Sequence, residues 1–352
     1  MFLTAHLHYK TTRPHGSIHP MRAVIAITFG IGLSIVAVQA QDRQTMTSKE
    51  DFLRAMDELS NWGRWGPDDE LGAANLITPD KRKTAASLVS EGITVSLAHD
   101  VIQVEAIDAS SILERVAYGI APNRGYDRLS YTGSYHGTIH SHLDSIACHI
   151  MWEGKGYNGY RMEDIESSGA CPQGSINALK DGVVTRGVLF DATLLPEKTT
   201  SQGWLEPGTP IRKADLEALE QIQGVSVSEG DVILLHTGRW KRRATVGPWV
   251  GAEDGVAGYH PDVAYFLKER GVSFIGHDMS NDVEPHEFYS EVRLPLHYLA
   301  LVAMGVGIFD NLDFERLAET ARRLNRYEFL FTAAPLRIEG GMGSPLNPIA
   351  TF

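Results

Sequence analysis

The sequence predicts an α/β domain with a mixed β-sheet. Of its 352 residues, 43% are hydrophobic and 22% are charged, a balance typical of a globular chain. Between residues 186 and 338, short apolar runs of strand length alternate with runs of helical period. Polar residues follow several of the apolar runs, and α/β proteins collect their sites at such strand ends. We therefore expect functional groups there.

The first forty residues have the pattern of a secretory signal peptide. They carry three basic residues and no acidic one, and residues 23–38 are apolar and uncharged. That run is shorter than the ~20 residues that span a bilayer. We expect cleavage after Ala40, with Met21 as an alternative start and a retained anchor as the alternative fate. The mature protein would be exported, periplasmic and without stable membrane insertion.

The mature chain, residues 41–352, is predicted to be one domain, because no repeat or Pro- or Ser-rich linker divides it. The net charge of the full chain is −12, and cleavage would make that of the mature chain −15, which argues against a nucleic-acid partner. Residues 101–135 show no clear period. The predicted helices cover 47–56, 79–89, 213–222, 261–270, 296–304 and 313–324, and the predicted strands cover 93–97, 189–190, 232–235, 272–275 and 327–338.

Four of the fourteen histidines lie in the segment 136–149, together with Asp144. Alternate residues of a β-strand point to one face, so His140, His142 and Asp144 would project together. Imidazole nitrogens and a carboxylate suit zinc and other divalent transition metals. Three protein ligands leave room for a water whose pKa the metal lowers. The segment therefore predicts a metal site at which His149 can transfer a proton.

Other enzyme motifs are absent from the sequence. It contains no His-Glu-x-x-His, no Gly-x-Ser-x-Gly and no phosphate-binding loop. Their absence argues against a zincin, a serine hydrolase or a nucleoside triphosphatase. The two cysteines, Cys148 and Cys171, are too few for a disulfide framework. An exported compartment permits them to pair, but the sequence does not place them close together.

Several stretches follow one another in an order shared with a known family. They are residues 65–72, 186–191, 230–234, 276–278 and 343–345, and they accompany the histidine segment. Over residues 60–352 the chain resembles the longer bacterial members of the metal-dependent cyclase family, which includes kynurenine formamidase and isatin hydrolase. The resemblance implies a swivelling β/α/β-type domain with a mixed β-sheet flanked by helices. It also implies a homodimer or homotetramer with bound Zn or Mn.

The family signature, His-x-Gly-Thr-His-x-Asp-x-Pro-x-His, is matched in part. His142 and Asp144 fit its second histidine and its aspartate, whereas Thr138 stands where the compact family has its first histidine. His136 or His140 must take that place, and strand periodicity favours His140. The final histidine of the family lies four residues after the aspartate, and here His149 lies five residues after it.

Near the C-terminus, His297 and Asp310 resemble the family's later histidine and acid. In the family this acid is a glutamate that helps to ligate a second metal or acts on the water, and here it is one carbon shorter. The structural alternatives are a buried helix residue for His297 and a helix N-cap for Asp310. The resemblance therefore implies one or two metal positions, with Asp310 as a ligand or a catalytic group.

Four further residues are candidates for binding a small-molecule substrate. Trp62 and Trp65 could stack on an aromatic substrate, as an early tryptophan of the family does, although packing of an N-terminal arm explains them equally well. His236 and His277 follow predicted strands and would face the same cleft or support its ligands.

Two functions are compatible with these features. The leading hypothesis is a metal-dependent, arylformamidase-like hydrolase that cleaves an aryl formamide, a cyclic amide or imide, or a lactone. An export signal fits poorly with kynurenine formamidase itself, which acts in cytoplasmic tryptophan breakdown. The alternative is an exported, non-catalytic protein of the same fold that binds a metal or a small ligand.

Overall fold

A nine-stranded mixed sheet forms the centre of the computed structural model, which describes residues 44–352. The strands of the described chain are β1 (Thr94–Ser96), β2 (Leu113–Ala121), β3 (Arg124–Tyr131), β4 (His142–Asp144), β5 (Val183–Asp191), β6 (Pro210–Ile211), β7 (Val232–His236), β8 (Gly258–Tyr259), β9 (Phe274–His277), β10 (Gly307–Asp310), β11 (Glu328–Ala333), β12 (Gly343–Pro345) and β13 (Ile349–Thr351). The large sheet has the order β1-β13-β11-β5-β7-β9-β10-β4-β12.

Helices flank the sheet and begin and end where local sequence signals place them. They are α1 (Lys49–Glu58), α2 (Pro79–Ala86), α3 (Met162–Ser168), α4 (Lys213–Gln223), α5 (Arg239–Val246), α6 (Gly251–Asp254), α7 (Val263–Arg270), α8 (Pro295–His297) and α9 (Glu315–Leu324), with a π-helical stretch over Tyr298–Met304. Ser48 caps α1 by accepting a hydrogen bond from the Asp51 amide, and Gly224 ends α4 in the left-handed conformation.

Strands β5, β7, β9 and β10 run parallel and form the middle of the sheet. Their alternate residues enter two cores: Phe190, Leu235 and Ile308 join the core beneath α4, α7 and the π-helix, whereas Leu234 and Phe309 join the core beneath α9. Each fully buried side chain of this size contributes about 1.5–3 kcal/mol. Because the four strands are parallel, their carboxyl ends meet at one edge of the sheet.

The architecture confirms the predicted mixed sheet with flanking helices. Local details differ from the predictions. Residues 101–135, which show no period, contain the hairpin of β2 and β3, and the last predicted strand ends at Ala333. The predicted signal peptide, residues 1–40, lies outside the described residues. No helix among the described residues is long and apolar enough to cross a membrane.

Cys148 and Cys171 form a disulfide, with their Cα atoms 5.8 Å apart. The bridge joins the loop that follows β4 to the segment that follows α3. Both cysteines are buried. The pairing that the sequence left open is therefore made in the structure, and it fixes the chain next to His149.

Candidate metal centre

Two neighbouring strands bring the first candidate residues together. β4 is antiparallel to β10, and His142 pairs with Asp310 in their register. Directly paired residues of adjacent strands point to the same face of a sheet. His142 and Asp144, two residues apart on β4, therefore share a face with Asp310, while Leu143 enters the opposite core. All three polar side chains are buried.

The first group of candidate ligands consists of His136, His142 and Asp144. Asp144 Oδ1 lies 3.0 Å from His136 Nδ1 and 3.4 Å from His142 Nε2. His142 Nδ1 lies 2.7 Å from the carbonyl oxygen of His140, which makes it the protonated nitrogen and leaves Nε2 facing Asp144. The second oxygen, Asp144 Oδ2, is buried and has no hydrogen-bond partner among the described residues.

The second group consists of Asp144, His297 and Asp310, so the two groups share Asp144. His297 Nε2 lies 3.4 Å from Asp310 Oδ2. In each group, one ligand atom from each residue lies within 4.8 Å of the others. The side chain of Asn281 donates a 2.6 Å hydrogen bond to Asp310 Oδ1 and leaves Asp310 Oδ2 available as a ligand atom beside Asp144 and His297. Because Asp144 belongs to both groups, these residues would suit one ion or two.

Asp282 orients His297 from behind. Its Oδ2 lies 2.5 Å from His297 Nδ1, and its carboxylate also accepts hydrogen bonds from the amides of Leu296 and His297 at 2.7 and 3.2 Å. A carboxylate on the second ring nitrogen is the usual support of a metal-binding histidine. Asp282 is not predicted from the sequence, because no local pattern relates it to a histidine fifteen residues later.

Burial and nearby charged side chains determine the pKa values of the candidate ligands, and with them their protonation states. Burial alone would raise the pKa of Asp144, but His149 and His142 hold it well below the usual range. Burial would lower the pKa of His142, yet Asp144 raises it to about 8. The pKa of His297 likewise lies well above its usual value despite burial, because Asp282 and Asp310 accept its hydrogen bonds. The protonated imidazole rings thus balance the negative charge of the buried carboxylates, a role that a bound cation would take over.

His149 lies beside both the cluster and the disulfide. Its ring stacks on the His136 ring at 3.9 Å, and its Nε2 lies 3.7 Å from Asp144 Oδ1. Burial lowers the pKa of His149 to about 4, against the opposing effect of Asp144. At neutral pH the imidazole is therefore uncharged and can accept a proton. Its side chain is 23% exposed, more than that of His142.

His140 lies outside both groups. The strand argument that favours it requires an extended chain from residue 140, but β4 begins at His142. Its Nε2 lies 2.7 Å from the Ser111 carbonyl oxygen, and its ring packs edge-on against Tyr131 at 4.8 Å. The alternative that the sequence left open, His136, is the residue that the structure places beside Asp144.

The two strand-end histidines have different surroundings. His236 Nδ1 lies 3.0 Å from Asp191 and its Nε2 lies 3.5 Å from Glu315. Burial opposes its charge, but these acids raise its pKa to about 10. His277 is buried, and its Nδ1 accepts a hydrogen bond from the amide of Met279. Its Nε2 has no hydrogen-bond partner among the described residues, and the nearest carboxylate oxygen, Asp278 Oδ1, lies 3.7 Å away. Neither histidine belongs to the two ligand groups.

The tryptophans lie elsewhere on the described chain. Trp62 is 41% exposed, donates to the Val302 carbonyl, and lines a surface cavity of about 400 Å³ together with Trp152. No candidate metal ligand lines this cavity. Trp65 packs against the main core. These positions favour the packing alternative over a substrate role.

The positions of His297 and Asp310 also decide between a metal-binding role and the structural roles in helices that the sequence left open for them. The residue at the N-cap of α9 is Phe314, so Asp310 does not cap that helix. His297 is indeed a buried helix residue, at the end of α8, but its ring faces Asp282 and Asp310.

Tyr135 is a neighbour of the candidate ligands that the sequence did not predict, and its ring lies 4.4 Å from that of His136. Burial, together with Asp144, raises the pKa of Tyr135 to about 12.

Comparisons with known proteins agree with this geometry. The family model named Cyclase matches residues 87–282, more than half of the chain. A crystal structure described as a novel cyclase is 28% identical, with a TM-score of 0.71, and the match covers 84% of this chain and 99% of that one. No curated protein matches the chain.

Two isatin hydrolases share the fold at lower identity. Isatin hydrolase A from Ralstonia solanacearum is 21% identical with a TM-score of 0.50, and the match covers 73% of this chain and 91% of that chain. An isatin hydrolase bound to the product analogue thioisatinate is 16% identical with a TM-score of 0.52, and the match covers 76% of this chain and 94% of that chain.

Proposed function

Since the chain belongs to the cyclase family, we propose that it is a metal-dependent hydrolase of a non-peptide carbon–nitrogen bond or a lactone. The observation that carries the proposal is the pair of His/Asp groups that share Asp144. The substrate class is an aryl formamide, a cyclic amide or imide, or a lactone. Isatin is a cyclic amide, so the fold shared with two isatin hydrolases supports the cyclic amide within this class.

The residues present fit a divalent transition metal. Asp144 Oδ2 is buried, and no described residue donates a hydrogen bond to it. Imidazole and carboxylate ligands without cysteine suit zinc or manganese. We assign His136, His142 and Asp144 to one position, with His297 and Asp310 completing it or forming a second.

The chain's own groups supply the proton transfers. When bound, a divalent metal lowers the pKa of a water and polarises the scissile carbonyl. The water oxygen then bonds to the carbonyl carbon, and the bond from that carbon to the leaving nitrogen, or to the ring oxygen of a lactone, breaks. His149, whose Nε2 lies 3.7 Å from Asp144, accepts a proton from the attacking water and then donates it to the leaving nitrogen, or to the leaving oxygen of a lactone. Asp310 acts as a ligand or orients the water.

Metal analysis and chelation test the proposal. Purified protein should contain Zn or Mn, lose turnover after dialysis against a chelator, and regain it when Zn or Mn is added. The substrate panel should include N-formyl aryl amines, cyclic imides and lactones. Full activity of the metal-free protein would overturn the mechanism.

Single substitutions separate the roles of the histidines. His149→Ala should retain metal and lose turnover. His136→Ala should lose metal, whereas His140→Ala, its matched control from the same segment, should retain it. Loss of metal in His140→Ala alone would overturn this ligand assignment.

A non-catalytic binding protein remains the second candidate. Three departures from the family pattern favour it: Thr138 stands in the place of the first histidine, His149 is displaced by one residue, and Asp310 is shorter than the family's glutamate. The panel distinguishes the two functions, because a parent protein that holds metal but turns over no substrate is a binding protein.

We also propose export and self-association. The disulfide between Cys148 and Cys171 supports an oxidising compartment such as the periplasm. The exposed apolar side chains on the β2–β3 hairpin, among them Tyr118 and Leu129, support a homodimer or homotetramer. Sequencing the N-terminus of the secreted protein and measuring its mass by light scattering test these two proposals. A retained N-terminus or a monomer would contradict them.

A further inference from the structure

Asn311 occupies a special position directly after Asp310. It is buried, and its φ of 56° lies in the left-handed region, which asparagine tolerates better than most residues. Its backbone amide donates to the Met279 carbonyl at 3.0 Å, which anchors the turn at the end of β10. The side chain is therefore rigidly attached to the strand that carries Asp310.

The Asn311 side chain reaches the loop that precedes β4. Its Nδ2 donates to the carbonyl oxygens of Gly137 at 2.6 Å and His140 at 3.3 Å. Both partners are acceptors, so the amide must present its NH₂ group to them. In return, the Asn311 carbonyl accepts a 2.7 Å hydrogen bond from Ser141 Oγ. Three hydrogen bonds thus join this one residue to the loop.

The hydrogen bonds of Asn311 lie next to two candidate ligands of the first group, His136 and His142. Gly137 directly follows His136, and the His140 carbonyl is also the acceptor that fixes the His142 ring. The strand ladder begins only at His142, so it does not hold the preceding loop. Arg239 supports the same loop at the Thr138 carbonyl, at 2.7 Å.

We propose that Asn311 is a positioning residue that holds the His136 side of the metal centre in register with the Asp310 side. This inference rests on the proposed metal-dependent function. A buried donor or acceptor left without its partner is destabilising, so the loop and the turn after β10 are held together as one unit. Asn311 itself is not a ligand: its side chain contacts the backbone beside the ligands.

Asn311→Gly tests the proposal while preserving the left-handed backbone. The matched control is Asn325→Gly, since Asn325 has a similar φ of 48° at the C-cap of α9, outside the metal groups. We expect Asn311→Gly to weaken Zn²⁺ binding, measured by competition with a chromophoric chelator, by about 10–100-fold. Asn325→Gly should bind Zn²⁺ as the parent does. The visible spectrum of the Co²⁺-loaded protein should change only in Asn311→Gly.

Two further variants keep the test decisive. Asn311→Asp turns a carboxylate oxygen toward two carbonyls and should weaken Zn²⁺ binding at least as much. Ser141→Ala removes one of the three bonds to Asn311, together with the acceptor of the His99 amide, and should weaken Zn²⁺ binding several-fold. Near-ultraviolet circular dichroism of the metal-free proteins identifies the folded variants. Parent-like affinity in folded Asn311→Gly, or in Ser141→Ala if the former does not fold, would overturn the positioning role. A parent protein that binds no Zn²⁺ would instead refute the proposed function.

Discussion

Asp282→Asn should weaken metal binding without touching any proposed ligand. Asp282 accepts from His297 Nδ1 at 2.5 Å and from the amides of Leu296 and His297. Asparagine keeps the shape of the side chain but removes its charge. The imidazole of His297 then loses a charge-assisted hydrogen bond. In the parent protein, this bond makes the other ring nitrogen more basic and fixes the orientation of the ring.

The expected loss of affinity is about 10–100-fold, the usual consequence of removing such a support. This corresponds to about 1.4–2.7 kcal/mol of binding free energy. The loss of affinity lies at the upper end of that range if the hydrogen bonds to the amides of Leu296 and His297 are also disturbed, because the Asp282 carboxylate holds the backbone of α8 through them. The measurement is competition between the protein and a chelator for Zn²⁺ at fixed pH.

Asp191→Asn is the matched control. Asp191 makes the same kind of contact, 3.0 Å from His236 Nδ1, and both side chains are buried. Neither residue belongs to the candidate ligand groups. We expect Asp191→Asn to lower folding stability and leave Zn²⁺ affinity unchanged. An unchanged affinity in Asp282→Asn, or an equal loss in Asp191→Asn, would refute the reasoning.

Three further outcomes are expected. Replacing Cys148 and Cys171 by alanine should lower the free energy of unfolding in urea by about 3 kcal/mol, because the bridge closes a loop of 23 residues; a parent-like value would contradict this. His236, with its pKa raised to about 10, contributes stability that is complete below pH 6.5 and is lost toward pH 10, so the stability advantage of the parent over His236→Gln should shrink between pH 7 and 9.5. Gly343→Ala should weaken Zn²⁺ binding, because the new Cβ would lie 2.6 Å from His136 Cε1 and 2.7 Å from the Leu143 carbonyl oxygen on β4; parent-like binding would argue against His136 as a ligand.

The burial of one regular face made several elements predictable from the sequence. α4 and β7 were predictable because their apolar residues repeat with the period of the structure and enter the core. The hairpin of β2 and β3 lacks this signal, since the side chains of residues 124–129 are exposed along β3. Its strands pair with one another and not with the large sheet, so no buried face imposes an alternation on the sequence.

The candidate site was predictable as a cluster but not as a geometry. The concentration of histidines around Asp144 indicates a metal site, yet the choice between His136 and His140 depends on where β4 begins. That boundary is set by pairing with β10 and β12, which lie more than 160 residues later in the chain. Strand periodicity cannot be extended to His140, because the ladder stops at His142. His136 reaches the carboxylate from an irregular loop, for which no sequence period exists.

The burial of three carboxylates at this place is itself an argument for function. Asp144, Asp282 and Asp310 are all buried, and burying a charge is costly unless it is paired. Packing alone gains nothing from them, because an apolar residue of similar volume would avoid the cost. In the metal-free protein, His142 and His297 offset it by holding protons, as their raised pKa values show. A divalent cation would balance the same carboxylates while releasing those protons, so metal affinity should rise with pH as the two histidines lose them.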